Sequence, residues 1–127
     1  MAASTDLWGN IDTEAPSRTP VSILKEQATL LGRKTGNVLE ARVETANLGE
    51  MFLHKLVLVA PALDNYTFEL LKFYHPIQLY PVSPDSSAPM PRELLPDEES
   101  FVKWLGAKLS SAETHRVIAN LLSQSRS

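Results

Sequence analysis

The chain has 127 residues, of which 43% are hydrophobic and 21% are charged, and its formal net charge is −3. This composition fits one globular domain and excludes wholesale disorder. Because there is no cysteine, a disulfide framework, a thiolate nucleophile and a zinc site built on cysteine are excluded, and the composition fits a reducing compartment such as the cytoplasm.

Residues 1–18 are rich in Ser, Thr, Asp, Ala and Pro and show little periodicity, which predicts a disordered tail. The tail lacks the basic start and the apolar stretch of a signal peptide. Trp8 stands out in it. We interpret Trp8 as a solvated tail residue, ahead of the alternative that it is an aromatic anchor for the domain or a partner.

The first helix is predicted over about 20–33. Thr19 is a favourable N-cap and Pro20 a favourable first helical residue, because the missing proline N–H would have no partner there. Gly32 or Gly36 can provide the left-handed stop. An apolar stripe at helical spacing is formed by Val21, Leu24, Ala28 and Leu31.

The period then changes to two, which predicts strands over Leu39–Thr45, Met51–Ala60 and Tyr66–His75. Short connections predict an antiparallel meander. A fourth strand over Ile77–Val82 is confined to an edge by two prolines. Strict alternation along the third strand divides its residues into one face with Tyr66, Phe68, Leu70 and Tyr74 and another with Thr67, Glu69, Leu71 and Phe73.

Residues 83–96 contain four prolines and three serines, which predicts a loop that links the sheet to two C-terminal helices. Asp97 caps the first of these helices, and a capping-box pattern at Ser110–Glu113 begins the second, over about 111–124. The inward residues are Phe101, Trp104, Leu105 and Leu109 on the first helix, and Val117, Ile118, Leu121 and Leu122 on the second.

The expected fold is therefore α+β, in the order α-β-β-β-(β)-α-α. A three- to four-stranded antiparallel meander packs against one N-terminal and two C-terminal helices in a two-layer sandwich. Residues 19–125 form a single domain. The longest apolar run, Leu56–Leu63, has eight residues, and a membrane span needs about 20. We therefore expect a cytoplasmic protein that has no membrane-spanning helix.

His54 and His75 lie on neighbouring predicted strands, with Glu69 nearby. A His-His-carboxylate site is one hypothesis. The favoured interpretation is that His54 marks the polar start of one strand and His75 the polar end of the next, each near solvent. No pair of histidines has the i, i+4 spacing of a helical metal site, so we predict no metal and no cofactor.

Asp64, Asn65 and Tyr66 occupy the predicted turn between the second and third strands. Function often resides on loops, but Asp and Asn also stabilise turns through their own backbone, which explains them fully. Taken together, the candidate binding residues are His54, Asp64, Asn65, Tyr66, Glu69, Tyr74, His75 and Trp104.

No nucleophile elbow, phosphate loop or dinucleotide motif is present in the sequence. The first hypothesis is a non-catalytic protein-interaction or regulatory module. The middle strand is apolar on both faces, so the outer face or an edge of the sheet is expected to bind a partner or a second copy. The alternative is a small-molecule binder or weak enzyme, with a pocket between sheet and helices lined by Phe68, Tyr74 and Trp104.

Nucleic-acid binding is a third, disfavoured hypothesis. The 12 basic residues are mostly scattered in a chain of net negative charge, whereas phosphate binding needs clustered Lys and Arg. The residues that would have to converge are Lys25, Arg33, Lys34, Arg42, Lys55 and Lys72.

Overall fold

A computed structural model describes residues 5–11, 13, 18–84 and 94–127. The described elements confirm the predicted α+β class and order, with four antiparallel strands in the order β1-β2-β3-β4. Their bounds are α1 (Pro20–Lys34), β1 (Glu40–Asn47), β2 (Met51–Ala60), a 3-10 turn (Pro61–Leu63), β3 (Tyr66–Pro76), β4 (Ser83–Pro84), α2 (Glu98–Leu109) and α3 (Ala112–Ser125).

The helix ends follow the sequence signals. The Thr19 side chain accepts a hydrogen bond from the Ser22 N–H at 3.1 Å, which caps α1. Beyond the C-terminus of α1, Gly36 has a φ of 61°, as expected for a left-handed stop. The capping box lies at the start of α2, where the side chains of Asp97 and Ser100 each accept a hydrogen bond from the other's backbone N–H. At the start of α3, the Ser111 side chain accepts from the Thr114 N–H without a reciprocal bond.

A β-bulge in β3 changes which residues face the helices. Leu56 pairs with Leu71 whereas Val57 pairs with Glu69, so Leu70 is one extra residue opposite β2. An extra residue reverses the alternation beyond it. The prediction that Phe68 and Phe73 lie on opposite faces is therefore wrong: both pack on the helix side.

The fourth strand lies further along the chain than predicted. Over Ile77–Val82 the chain makes a turn, in which the Leu79 N–H donates to the Pro76 carbonyl at 3.0 Å. Pairing with β3 resumes only at Ser83–Pro84. The physical reason is that Pro76 and Pro81 have no N–H to give to a ladder.

The helices cover one face of the sheet and enclose two connected groups of apolar side chains. The first joins α1 and α2 to the sheet around Leu24, Phe73 and Phe101, and the second joins α3 to the sheet around Leu58 and Leu121. No helix in the described part of the chain has the length and apolar character to cross a bilayer.

Two predictions fall partly outside the described residues. For the tail, residues 5–11 and 13 form no helix or strand and are exposed, and residues 1–4, 12 and 14–17 are not described. For the linker, residues 85–93 are not described. The chain on either side of residues 85–93 is paired, because Val82 and Leu95 exchange backbone hydrogen bonds of 2.8 Å.

Tyr80 packs against the first apolar group, and its hydroxyl is buried with no hydrogen-bond partner among the described residues. A buried hydroxyl without a partner costs free energy that a phenyl ring avoids. We therefore expect Tyr80→Phe to raise the free energy of unfolding by about 1 kcal/mol in urea titrations. A loss of stability would show that the hydroxyl is satisfied in solution.

Candidate functional site

A groove of about 770 Å³ lies on the helix side of the sheet. Its floor is formed by Ala41 of β1, Leu56 and Leu58 of β2, and the bulge residue Leu70 of β3. The bulge matters here, because it adds one apolar side chain to the floor. The volume of the groove is within the range of small-molecule sites, about 300–1,000 Å³.

The walls of the groove come from one stripe on each helix. On α1 the stripe runs through Ile23, Gln27, Leu30 and Lys34, which is helical spacing along about 16 Å of axis. The stripes of the three helices line one common groove. The other walls include Val102, Leu105 and Leu109 of α2, and Ile118, Ala119 and Leu122 of α3.

The charges around the groove have one sign. Arg18 and Lys34 lie along it, and none of the described residues that line it is Asp or Glu, although the whole chain carries a net charge of −3. Glu26 forms an ion pair with Arg18 on the surface, which offsets part of that charge. The groove therefore favours an anionic or acidic occupant.

The groove also leaves apolar surface in water. Leu30 of α1 is 39% exposed and Val102 of α2 is 42% exposed, and both line the groove. A contiguous exposed apolar surface is typical of a binding site. Covering it removes these side chains from water, which stabilises a complex by about 25 cal/mol per Å² of apolar surface buried.

A second feature is a pair of stacked, buried histidines near the other end of the sheet. The Nε2 atoms of His54 and His75 lie 2.8 Å apart, and the ring centroids are 4.8 Å apart. His54 Nδ1 is 2.9 Å from the Thr45 hydroxyl, and His75 Nδ1 is 2.7 Å from the Pro76 carbonyl oxygen. The pair thus links β1, β2 and β3.

The partners of the two rings assign their tautomers. The Pro76 carbonyl only accepts, so His75 Nδ1 carries a hydrogen and, in the neutral ring, His75 Nε2 accepts. His54 Nε2–H is then the donor to it, and His54 Nδ1 accepts from the Thr45 hydroxyl. All three hydrogen bonds are made with both rings neutral.

A charged His54 is disfavoured in this setting. Burial, the neighbouring His75 and the Lys25 ammonium together lower the pKa of His54 from 6.5 to about 4. The rings are also closed to solvent, at 4% and 5% exposure. The described residues contain no cluster of three or more His, Asp or Glu able to hold a metal ion. The pair is therefore a structural cross-link between strands.

The structure brings only two of the sequence candidates into a common cluster. His54 and His75 meet, as the metal-site hypothesis required, but both are buried rather than near solvent. Glu69 pairs through its backbone with Val57, and its carboxylate lies 3.5 Å from Lys55 Nζ on the other face of the sheet.

The remaining candidates are apart from the groove and from one another. Asp64 and Asn65 have left-handed φ values of 57° and 55° in the turn before β3, which is the turn chemistry that the sequence predicts. Tyr66 follows them and is half-exposed. Tyr74 pairs with Leu53, and Trp104 packs on Phe73 and Phe101 in the first apolar group.

The sequence analysis expected a pocket between sheet and helices, but it assigned Phe68, Tyr74 and Trp104 to that pocket, and none of these lines the groove. A signal was present: α1 and α2 carry apolar residues beyond the core stripe, at Leu30 and Val102. Such residues often lie singly on a surface, so only their convergence in space identifies the site. Comparison of the chain with protein-family models, curated proteins and solved structures found no match.

Proposed function

We propose that this protein is a non-catalytic binding module whose groove takes an acidic, amphipathic helix of a partner protein. The observation that carries the proposal is the groove itself, which has apolar stripes from three helices, two basic residues along it and no acidic lining residue among those described. Amphipathic helices bind other proteins by laying their apolar face into such grooves.

The dimensions support a helical occupant. The α1 wall extends along about 16 Å, which equals about three turns of a bound helix. Such a helix would present residues at i, i+3, i+4 and i+7 to the floor around Leu58 and Leu70. Its acidic flanks would lie beside Lys34, where opposite charges attract.

The outer face of the sheet, which the sequence favoured as a docking surface, offers less support. Val57 and Val59 at its centre are already buried in the single chain, at 7% and 3% exposure. On the edge strand β1, the exposed residues Glu40, Arg42 and Glu44 alternate along the strand, and charged side chains oppose strand addition at an edge. We therefore place the proposed partner in the groove.

A small molecule is the second candidate occupant. The volume of about 770 Å³ would suit an amphipathic molecule with an apolar body and an anionic group. The absence of cysteine supports a proposed location in a reducing compartment, the cytoplasm.

The experiment uses two labelled synthetic peptides of 14 residues that share one leucine stripe and differ only in having Glu or Lys at the flanking positions. By fluorescence anisotropy, we expect the Glu peptide to bind the full chain about tenfold more tightly at low salt, since several exposed charge pairs of about 0.2–1 kcal/mol each add up. Equal binding of both peptides would contradict the proposal, and binding of dodecanoate with neither peptide would favour the small-molecule candidate.

A matched pair of variants tests the position of the charge. Lys34 lines the groove and Arg33 does not, yet both are exposed in the last turn of α1. Lys34→Glu is expected to reduce binding of the Glu peptide about fivefold, the effect of reversing one surface charge, whereas Arg33→Glu leaves it unchanged. If both variants weaken binding equally, the net charge of the chain sets the affinity for the Glu peptide, and the position of Lys34 in the groove does not.

A further inference from the structure

We infer that the groove binds residues 6–11 of a second copy of this chain, so that two copies exchange N-terminal segments reciprocally. This inference rests on the proposed function, because it supplies an acidic, amphipathic occupant for the same groove. It differs in the source and the conformation of the occupant, which becomes a short non-helical segment of this chain itself.

Residues 6–11 present apolar side chains to water. Leu7 is 88% exposed, Trp8 is 82% exposed and Ile11 is 58% exposed. A local turn holds the first two, because the Trp8 N–H donates to the Asp6 carboxylate at 2.9 Å and Gly9 follows with a φ of 70°. Large rigid aromatic side chains on a preorganised turn are typical binding anchors.

The chemistry of this segment matches the groove. Asp6 precedes the apolar residues, and Asp12 and Glu14 follow them in the sequence, with no basic residue before Arg18. The groove offers an apolar floor and the basic side chain of Lys34. Each copy therefore carries both an acidic apolar segment and a basic apolar groove, and each is exposed in the single chain.

A second copy is the occupant that satisfies both surfaces at once. In the single chain the segment lies outside its own groove, since Leu7 and Trp8 remain almost fully exposed. In a two-fold dimer, the segment of each copy would enter the groove of the other. Both segments and both grooves would then be occupied, so the assembly would stop at two copies. Docking of the first segment raises the effective concentration of the second.

The test is sedimentation velocity of the full chain at several concentrations. We expect a concentration-dependent dimer, which Trp8→Ala weakens about tenfold, because truncation of an aromatic anchor costs at least that factor. Val102→Glu, which places an acid in the groove of every copy, should weaken it similarly. Ile77→Glu is the control, since Ile77 is 75% exposed and lies outside the groove.

Mixing the two variants sharpens the test. Trp8→Ala keeps an intact groove and Val102→Glu keeps an intact segment, so an equimolar mixture should restore one of the two contacts and form more dimer than either variant alone. A monomer at all concentrations overturns the inference. Trp8 emission, measured in a Trp104→Phe background, detects the intramolecular alternative. If the chain is a monomer and Val102→Glu changes this emission, the segment occupies its own groove, and the inference is likewise overturned.

The outcome for this inference is separable from that for the proposed function. The Trp8→Ala variant lacks the anchor but retains the groove, so the Glu peptide described above should bind it at least as tightly as it binds the unmodified chain. Peptide binding without self-association would reject the exchange of segments and leave the partner-binding groove standing. Self-association without peptide binding would reject the proposed partner chemistry.

Discussion

Lowering the pH from 7.5 to 5 is expected to reduce the free energy of unfolding by about 2 kcal/mol through His54 alone. The pKa of His54 is about 4 in the fold and 6.5 for an ordinary histidine. Below pH 6.5 the unfolded chain therefore binds a proton that the folded chain does not. The contribution is fully present above pH 6.5, is lost as the pH falls, and reaches a loss of about 3 kcal/mol by pH 4.

The hydrogen bonds of the pair explain the direction of this effect. A proton added to His54 must go to Nδ1, because Nε2 already donates to His75. The Thr45 hydroxyl would then have to turn from donor to acceptor, and a charge would be buried beside Lys25. The folded state therefore resists protonation until the pH is near 4.

Urea titrations at each pH measure this effect, and a His54 variant provides the comparison. His54→Gln cannot titrate at this position, so its stability should change by about 2 kcal/mol less between pH 7.5 and 5. A His54→Gln variant with the same acid dependence would show that other groups cause it.

Replacing Phe73 with alanine is expected to cost about 4 kcal/mol of folding free energy, a large part of the total of a small domain. Phe73 is fully buried. Its ring centroid lies 4.9 Å from that of Phe101 and 6.3 Å from that of Trp104, both in edge-to-face geometry. The variant would lose these aromatic contacts and leave a cavity between β3 and α2.

The neighbouring residue gives the control for this substitution. Tyr74 follows Phe73 on β3, points to the other face of the sheet by strand alternation and is only half-buried. Tyr74→Ala should therefore cost less than half as much as Phe73→Ala in the same denaturation experiment. Equal costs would mean that the aromatic contacts between β3 and α2 are not the stabilising ones.

Much of the architecture follows from local patterns. The caps at Thr19 and Asp97, the stop at Gly36 and the period-two strands are encoded within a few residues of where they act. Sequence reasoning failed at the bulge, because one extra residue at Leu70 reverses the face of everything after it. No local signal marks that position.

The candidate site also has features that the sequence predicts and features that it does not. The meeting of His54 and His75 across the sheet was one hypothesis from the sequence, because neighbouring strands place such residues side by side. The sequence could not indicate that Glu69 lies on the opposite face with Lys55, since that depends on the bulge between them. Nor could it indicate which apolar helix residues remain uncovered.

The sequence by itself therefore determined the fold class and the order of the elements, because these depend on spacing along the chain. Only the tertiary structure decided that α1, α2 and α3 pack over the sheet so that a basic, apolar groove remains among them. The physical reason is that a groove depends on the distances between packed elements, and spacing along the chain does not fix these distances. Leu30, Val102 and Ile118 are far apart along the chain and line one space only after the helices have packed.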